Sequence, residues 1–310
     1  MKYFISVAMA TYNGEEYIKE QLDSIFNQTY PVDEVIIRDD ISSDNTAAVI
    51  ESYIKDNGLG DKVDFKVNEK NFGYASNFVG ALRKTRGEIV FFSDQDDIWP
   101  ETRVERMIEA FERRPDALMI GSEFEPFKCS DDAPDVPRWE LAKFKNDGSM
   151  EKLEFTSENI FIGCQGCTMA MRRSFLNKID EYWYEGWAHD EFVWKLALAM
   201  EGLYFLHEVT LKRRLHANNV TLHKEHEKDK RLKYLRDLKK SHERTLKFVN
   251  DSEGESSSKA ALLKKHITAT EKRIELIQNR RLFNSLILLK YGDCYHKRRS
   301  IPVEFLMAFK

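Results

Sequence analysis

Asp94, Asp96 and Asp97 place three carboxylates within four residues, directly after the apolar pair Phe91-Phe92. Crowded in this way they repel one another, and without a cation each would raise its neighbours' pKa. An oxygen-rich cluster suits Mg2+ or Mn2+, which typically take one or two protein carboxylates together with substrate phosphates. The plainer use of the same residues is an acidic loop capping the helix that opens near Pro100. A second acidic pair, Asp39-Asp40, follows the apolar run Val35-Ile36-Ile37. A carboxylate there could accept a hydrogen bond from a base N–H or a ribose hydroxyl. It could equally cap the next helix, although Ser42, Ser43 and Asp44 already offer that service. Thr11-Tyr12-Asn13-Gly14 is a polar turn with a helical pattern behind it. Its backbone could hold a base with Tyr12 stacking, or it is an ordinary strand-to-helix turn.

These clusters need elements that bring them together. Phe4–Ala10, Glu34–Arg38, Val63–Val67 and Glu88–Ser93 read as strands. Glu15–Asn27, Asp44–Lys55, Tyr74–Thr85 and Glu101–Arg113 carry helical spacing, with Asn57-Gly58 and Pro115 as stops. Strand–helix alternation predicts a mainly parallel α/β sheet with helices on both faces, whose ligands bind beyond the carboxyl ends of the strands. All three polar clusters stand at such ends. From Lys128 to Asp147 the pattern weakens into a long loop, and Asp190–Met200 reads as a strong helix. After Leu222 the pattern is almost wholly helical: Lys228–Val249 and Lys259–Leu289 are two long segments joined by a flexible link over Asp251–Ser258. The expected division is residues 1–222 and 223–310.

The chain has 310 residues, 42% of them hydrophobic, so it can bury a sizeable core. A formal net charge of −4 gives no global reason to expect nucleic-acid binding, and the basic residues gather after Lys224. No signal-like opening and no run of about 18 apolar residues is present, so the expected setting is cytoplasmic with free thiols.

Taken in order, Ser6–Gly14, Arg38-Asp39-Asp40 and Ser93–Asp97 resemble the family 2 inverting glycosyltransferases of the GT-A fold. Within that family the chain looks like the bacterial rhamnosyltransferase-type branch, and the resemblance covers roughly residues 3–222. It implies a metal-dependent enzyme that binds a nucleotide-sugar donor, dTDP- or UDP-linked, at Thr11, Tyr12, Asn13 and Asp39. Asp96 is implied as a Mn2+ or Mg2+ ligand, and Asp94 as a ribose contact or a support of the metal site. His189-Asp190 matches the position of the catalytic base, which implies Asp190, with Glu191 as a second candidate. Arg213-Arg214-Leu215-His216 matches a late Arg-x-x-His element, implying His216 as a further metal ligand and Arg213 near the diphosphate. Inverting transfer needs such groups: a carboxylate takes the proton of the attacking hydroxyl, and positive charge meets the departing diphosphate. The implied donor is dTDP-L-rhamnose and the acceptor a lipid-linked or oligosaccharide hydroxyl of a bacterial surface polysaccharide. A UDP-hexose donor, or a non-catalytic carbohydrate-binding protein, are the alternatives. A nucleotidyltransferase would carry a Gly-rich phosphate loop near the N-terminus, and none is present.

Cys164 and Cys167 lack the two further ligands of a structural zinc site. Gly163, Gly166 and Thr168 suit close chain packing beneath an acceptor site instead. Trp183, Tyr184 and Trp187 could stack on a sugar or pack in the core, and Trp99 belongs to the core. In the tail, Arg280–Tyr291 pairs a short apolar helix with basic flanks, and Lys297-Arg298-Arg299 follows. Basic amphipathic helices lie on anionic membrane surfaces, which makes the inner face of the cell membrane one expected location. Packing on the catalytic domain or in a homodimer is the other use of that helix.

Overall fold

The computed structural model describes residues 2–161, 164–217, 227–297 and 300–309. The chain forms two compact units: Met1–Leu153 with Cys164–Ala197 and Gly202–Leu222, and Glu154–Gly163 with Leu198–Glu201 and His223–Lys310.

The first unit runs β1 (Ile5–Thr11), α1 (Ile18–Phe26), β2 (Glu34–Asp39), α2 (Thr46–Asp56), β3 (Val63–Val67), α3 (Tyr74–Lys84), β4 (Ile89–Ser93) and α4 (Arg103–Arg113). It continues through β5 (Met119–Lys128), the short α5 (Arg138–Leu141), β6 (Met150–Lys152), β7 (Ala170–Arg172), α6 (Arg173–Ile179), α7 (His189–Ala199) and β8 (Leu203–Leu215). One sheet of order β3-β2-β1-β4-β7-β5-β8-β6 joins them. The pairs β1–β2, β1–β4, β2–β3 and β5–β8 are parallel; the short strands β6 and β7 run against their neighbours. β1, β2 and β4 are buried along almost their whole length, as expected of central strands covered on both faces. β3, at the edge, alternates. Trp99 is buried in the main core, as its sequence context implied. The region read as a loop from Lys128 to Asp147 holds α5, and buried Ala133 and Val136 anchor it.

In the second unit α8 (Lys228–Glu253) and α9 (Ser258–Asn279) pair, followed by α10 (Phe283–Leu288) and α11 (Ser300–Met307). Two sequence expectations need correcting. The link expected over Asp251–Ser258 is shorter, because α8 runs on to Glu253 and stops where Gly254 takes a φ of 86°. The helix expected over Lys259–Leu289 is broken: α9 ends at Asn279 and Arg280 turns left-handed (φ 52°) without a Gly or Pro to announce it. Glu304 of α11 is fully buried, accepting from Arg273 Nε (2.9 Å) and Nη2 (2.7 Å) and from Arg231 Nε (2.8 Å). Removing one member of such a group leaves buried charge uncompensated. Glu304→Ala is therefore expected to destabilise this unit by about 3–5 kcal/mol, read as a lower denaturant midpoint.

Candidate active site

β1 and β4 lie side by side in register from Ile5–Ile89 to Met9–Ser93, so the segments that follow them emerge together at one sheet edge. Gln95 joins the two. The Tyr12 N–H donates to Gln95 Oε1 (2.9 Å), and Gln95 Nε2 donates to the Tyr12 carbonyl (3.0 Å). A Cβ at Gly14 would lie 2.4 Å from the Gln95 amide, so a larger residue there would push that side chain off its two hydrogen bonds. Asn13 adopts a left-handed φ of 50°, and its Oδ1 accepts from the Ser43 N–H (2.8 Å). Tyr12 itself stays exposed, its ring open to a ligand.

Asp39 is fully buried. Its Oδ1 accepts from the Ser42 N–H (2.9 Å), and its Oδ2 from Thr11 Oγ1 (2.8 Å) and Ser42 Oγ (2.6 Å). Asp40, also buried, accepts from Asn68 Nδ2 (2.9 Å) and from the N–H groups of Phe72 and Gly73 (2.8 Å each). The pair thus holds two loops, one carboxylate each. Between those anchors and α2, Ile41 has a φ of 60°, a conformation that costs a β-branched residue on the order of 1–3 kcal/mol. Such strain persists where the surroundings over-determine the backbone, often at functional sites.

The acidic cluster after β4 is pinned to β8. Ile98 and Lys212 exchange main-chain hydrogen bonds (3.0 and 2.9 Å), and the Arg214 N–H donates to Asp97 Oδ1 (3.0 Å). Arg214 Nε donates to the Asp96 carbonyl (2.7 Å). The same register brings His216 Nε2 to 2.8 Å from Asp96 Oδ2. Arg213 is nearly buried against the Phe124 ring (5.3 Å), and its charge reaches Asp94 and Asp97. Asp94 has surface open to solvent but stands in a crowded recess; burial, then the charge of Asp96, push its carboxyl up to about 7. Burial and the same neighbours push Asp97 well above the usual carboxylate range.

A divalent cation fits these residues. Asp97 Oδ2 is buried without a hydrogen-bond partner among the described residues, and the clustered carboxylates disfavour one another's charge. The donors at hand are hard oxygens and an imidazole. Asp94, Asp97 and Cys167 can also bring one ligand atom each within 4.8 Å of one another. The spacing of Cys164 and Cys167 reads in the sequence only as an incomplete zinc pair; the fold instead sets Cys167, on a 3-10 turn at Gly166–Thr168, beside the acidic cluster.

That turn also touches α7. A Cβ at Gly166 would stand 3.2 Å from Asp190 Cβ and from His189 Nε2. His189 is buried and stacked on Phe78 (3.9 Å between centroids), with burial lowering its pKa, so it is a neutral core residue. Asp190, partly exposed, carries charge that reaches Asp94. Glu191 instead pairs with the fully buried Lys195 at 2.5 Å. Gly163 lies outside the described residues. Trp187 is buried and stacks on Tyr184 (5.1 Å), while Arg83 covers Trp183 (5.3 Å). The sequence reading missed the aromatics that do stay open beside the strand ends, Phe72 and Tyr74.

Residues 6–180 match the family described as Glycosyl transferase family 2. An uncharacterized glycosyltransferase of Rickettsia prowazekii is 27% identical over 221 residues, which is 70% of this chain and 65% of that protein. The chain thus spans less than two thirds of that relative. The poly(ribitol-phosphate) β-N-acetylglucosaminyltransferase TarS of Staphylococcus aureus is 38% identical over 119 residues, 37% of this chain and 20% of TarS. The crystal structure of TarS 1-349 with UDP-GlcNAc superposes with a TM-score of 0.65 at 16% identity, covering 97% of this chain and 89% of that one. A mannosyltransferase from Pyrobaculum calidifontis, in complex with GDP-Man and Mn2+, gives 0.57 at 16% identity, covering 100% and 88%. These structural likenesses are of fold, and they agree with the α/β architecture of GT-A type expected from the sequence. With its family matched over more than half its length, the chain belongs to glycosyl transferase family 2.

Proposed function

We propose that the chain is a metal-dependent, inverting glycosyltransferase that moves a sugar from a nucleoside diphosphate to an acceptor hydroxyl of a bacterial surface polysaccharide or its lipid-linked precursor. The observation that carries this reading is the meeting of Asp96 and His216, 120 residues apart in sequence, beside Asp94 at the end of β4. The transferase domain is assigned to residues 1–222 and the helical extension to 223–310. Asp96 and His216 would hold Mn2+ or Mg2+, whose positive charge would offset the charge gathering on the leaving diphosphate. Arg213 adds a fixed cation to the same recess, and Asp94 orients toward the ribose. Tyr12 offers its exposed ring to the base, and the Thr11–Asn13 turn lines the pocket. Asp39 serves that pocket through the turn it holds, since both its oxygens are already bonded to Thr11 and Ser42.

The acceptor hydroxyl attacks the anomeric carbon opposite the leaving group, and Asp190 takes its proton. Glu191 is the weaker candidate because its carboxylate is already held by Lys195 Nζ. Gly166 leaves the space that Asp190 needs. In Gly166→Ala the added methyl would press on Asp190 Cβ and on Nε2 of the buried His189, each 3.2 Å away, which is expected to shift Asp190 by a few tenths of an ångström and lower kcat about tenfold with nucleotide affinity unchanged.

The proposed donor is dTDP-L-rhamnose, on the likeness of the motifs to the rhamnosyltransferase branch. A UDP-linked hexose is the second reading, favoured by the likeness to TarS, whose crystal structure holds UDP-GlcNAc. Melting curves with dTDP, UDP and GDP, each with and without Mn2+, test both. A nucleotide at a hundredfold excess over its Kd is expected to raise the melting temperature by about 5 °C, and only with the ion. The base that does so names the donor class. No response to any nucleotide would overturn the transferase reading in favour of a non-catalytic carbohydrate-binding protein.

A further inference from the structure

The second unit carries an apolar surface that its own packing leaves uncovered. Leu288 of α10, Tyr295, and Ala308 beyond α11 close on Leu276 of α9 in one buried cluster, so both short helices turn their inner faces to α9. Their outer faces are apolar as well. Phe283, Leu286 and Leu289 recur every third residue along one side of α10 and the turn after it, and are 72%, 62% and 64% exposed. From α11, Leu306 is 62% exposed, with Val303 beside it and Phe309 just beyond (57%). Scattered exposed leucines are ordinary, but two rows of three large apolar side chains, each along a helix and the turn after it, on helices that contact one another are of the kind that marks an interaction surface.

The charge around the patch says what covers it. From Arg280 to Lys310 the sequence has seven Lys or Arg and two acids, Asp293 and Glu304. Both acids are engaged inside the unit: Asp293 with Lys265 (2.6 Å), and Glu304 with Arg231 and Arg273 beneath the surface. Exposed Arg280, Arg281 and Lys290 flank the apolar residues of α10. Among the described residues Arg281 pairs with Glu275 (3.2 Å), and no acidic partner is found for Arg280 or Lys290. Among the described residues no helix is long and apolar enough to cross a membrane. The surface is amphipathic with a cationic rim, which fits the boundary between anionic headgroups and acyl chains.

We infer that α10 and α11 form a peripheral docking surface for an anionic bilayer, with Phe283, Leu286, Leu289 and Leu306 entering the acyl boundary and Arg280, Arg281 and Lys290 meeting lipid phosphates. The inference stands independently of the donor and acceptor assigned above. Flotation of the full chain with phosphatidylcholine vesicles, or with vesicles that also contain phosphatidylglycerol, tests it. Binding is expected only to the mixed vesicles and is expected to weaken as salt rises. Each basic residue near the surface is worth about a fivefold change in partition, so the triple variant Arg280→Gln/Arg281→Gln/Lys290→Gln should bind roughly a hundredfold more weakly. Leu286→Glu/Leu306→Glu should abolish binding while its melting temperature and nucleotide response stay those of the parent protein. Failure of the unaltered chain to float with phosphatidylglycerol vesicles would overturn the inference. So would a light-scattering mass that falls from dimer to monomer in Leu286→Glu/Leu306→Glu, because a second copy would then be what covers the patch.

Discussion

Asp96→Ala is expected to reduce transfer by about a thousandfold while leaving the fold intact, because several kcal/mol of charge stabilisation would depart with the proposed ion. Asp96 is the most suitable single target in the cluster. It is partly exposed, so its removal leaves no buried charge stranded, and its Oδ2 faces His216 at 2.8 Å. Its main-chain carbonyl, which accepts from Arg214, is untouched by the substitution. The check is a steady-state assay across a Mn2+ titration, together with a melting curve with and without nucleotide. The variant should lose both turnover and the metal-dependent part of nucleotide stabilisation. Retention of turnover would move the ion to the group formed by Asp94, Asp97 and Cys167.

Asp190→Asn is expected to lower kcat by about 10²–10⁴-fold with KM for the donor nearly unchanged, since general-base catalysis acts on the transition state and donor binding does not need the proton acceptor. Glu191→Gln should behave differently. It removes the partner of Lys195, an amine that burial already biases toward neutrality, and so should lower stability more than kcat. Comparing the two variants by kcat, KM and melting temperature separates the carboxylate that accepts a proton from the one that holds a helix. If Glu191→Gln loses turnover at full stability while Asp190→Asn keeps it, the roles are exchanged.

The parallel half of the sheet was legible because its central strands are apolar on both faces and its helices carry clear stops, as β1 and the segment after Asn57 show. The reversed strand β7 was not. Three residues, Ala170–Arg172, in an apolar stretch carry no direction of their own, and their orientation is set by pairing with β4 and β5. Side-chain duties were harder to read than elements. Asp39 and Asp40 look alike in sequence, yet one closes on Thr11 and Ser42 and the other on Phe72 and Gly73. That division follows from loop paths, which local pattern does not encode. The approach of His216 to Asp96 came from resemblance to a family and not from spacing, since no local rule relates residues 120 apart. The approach of Cys167 to Asp94 and Asp97 was missed, because the sequence shows Cys167 only beside Cys164 and its acidic neighbours arrive once a distant turn has folded against them.

The double hydrogen bond between Gln95 and the Tyr12 backbone ties the proposed nucleobase platform to the loop that carries the proposed cation ligand Asp96. Occupancy of either end then biases the loop geometry at the other. Thermodynamic linkage makes that influence mutual: whatever factor the ion gives to nucleotide affinity, the nucleotide returns to the ion. Selectivity for a base and selectivity for a metal are on this view not separately adjustable, and a substitution that alters one would carry the other with it.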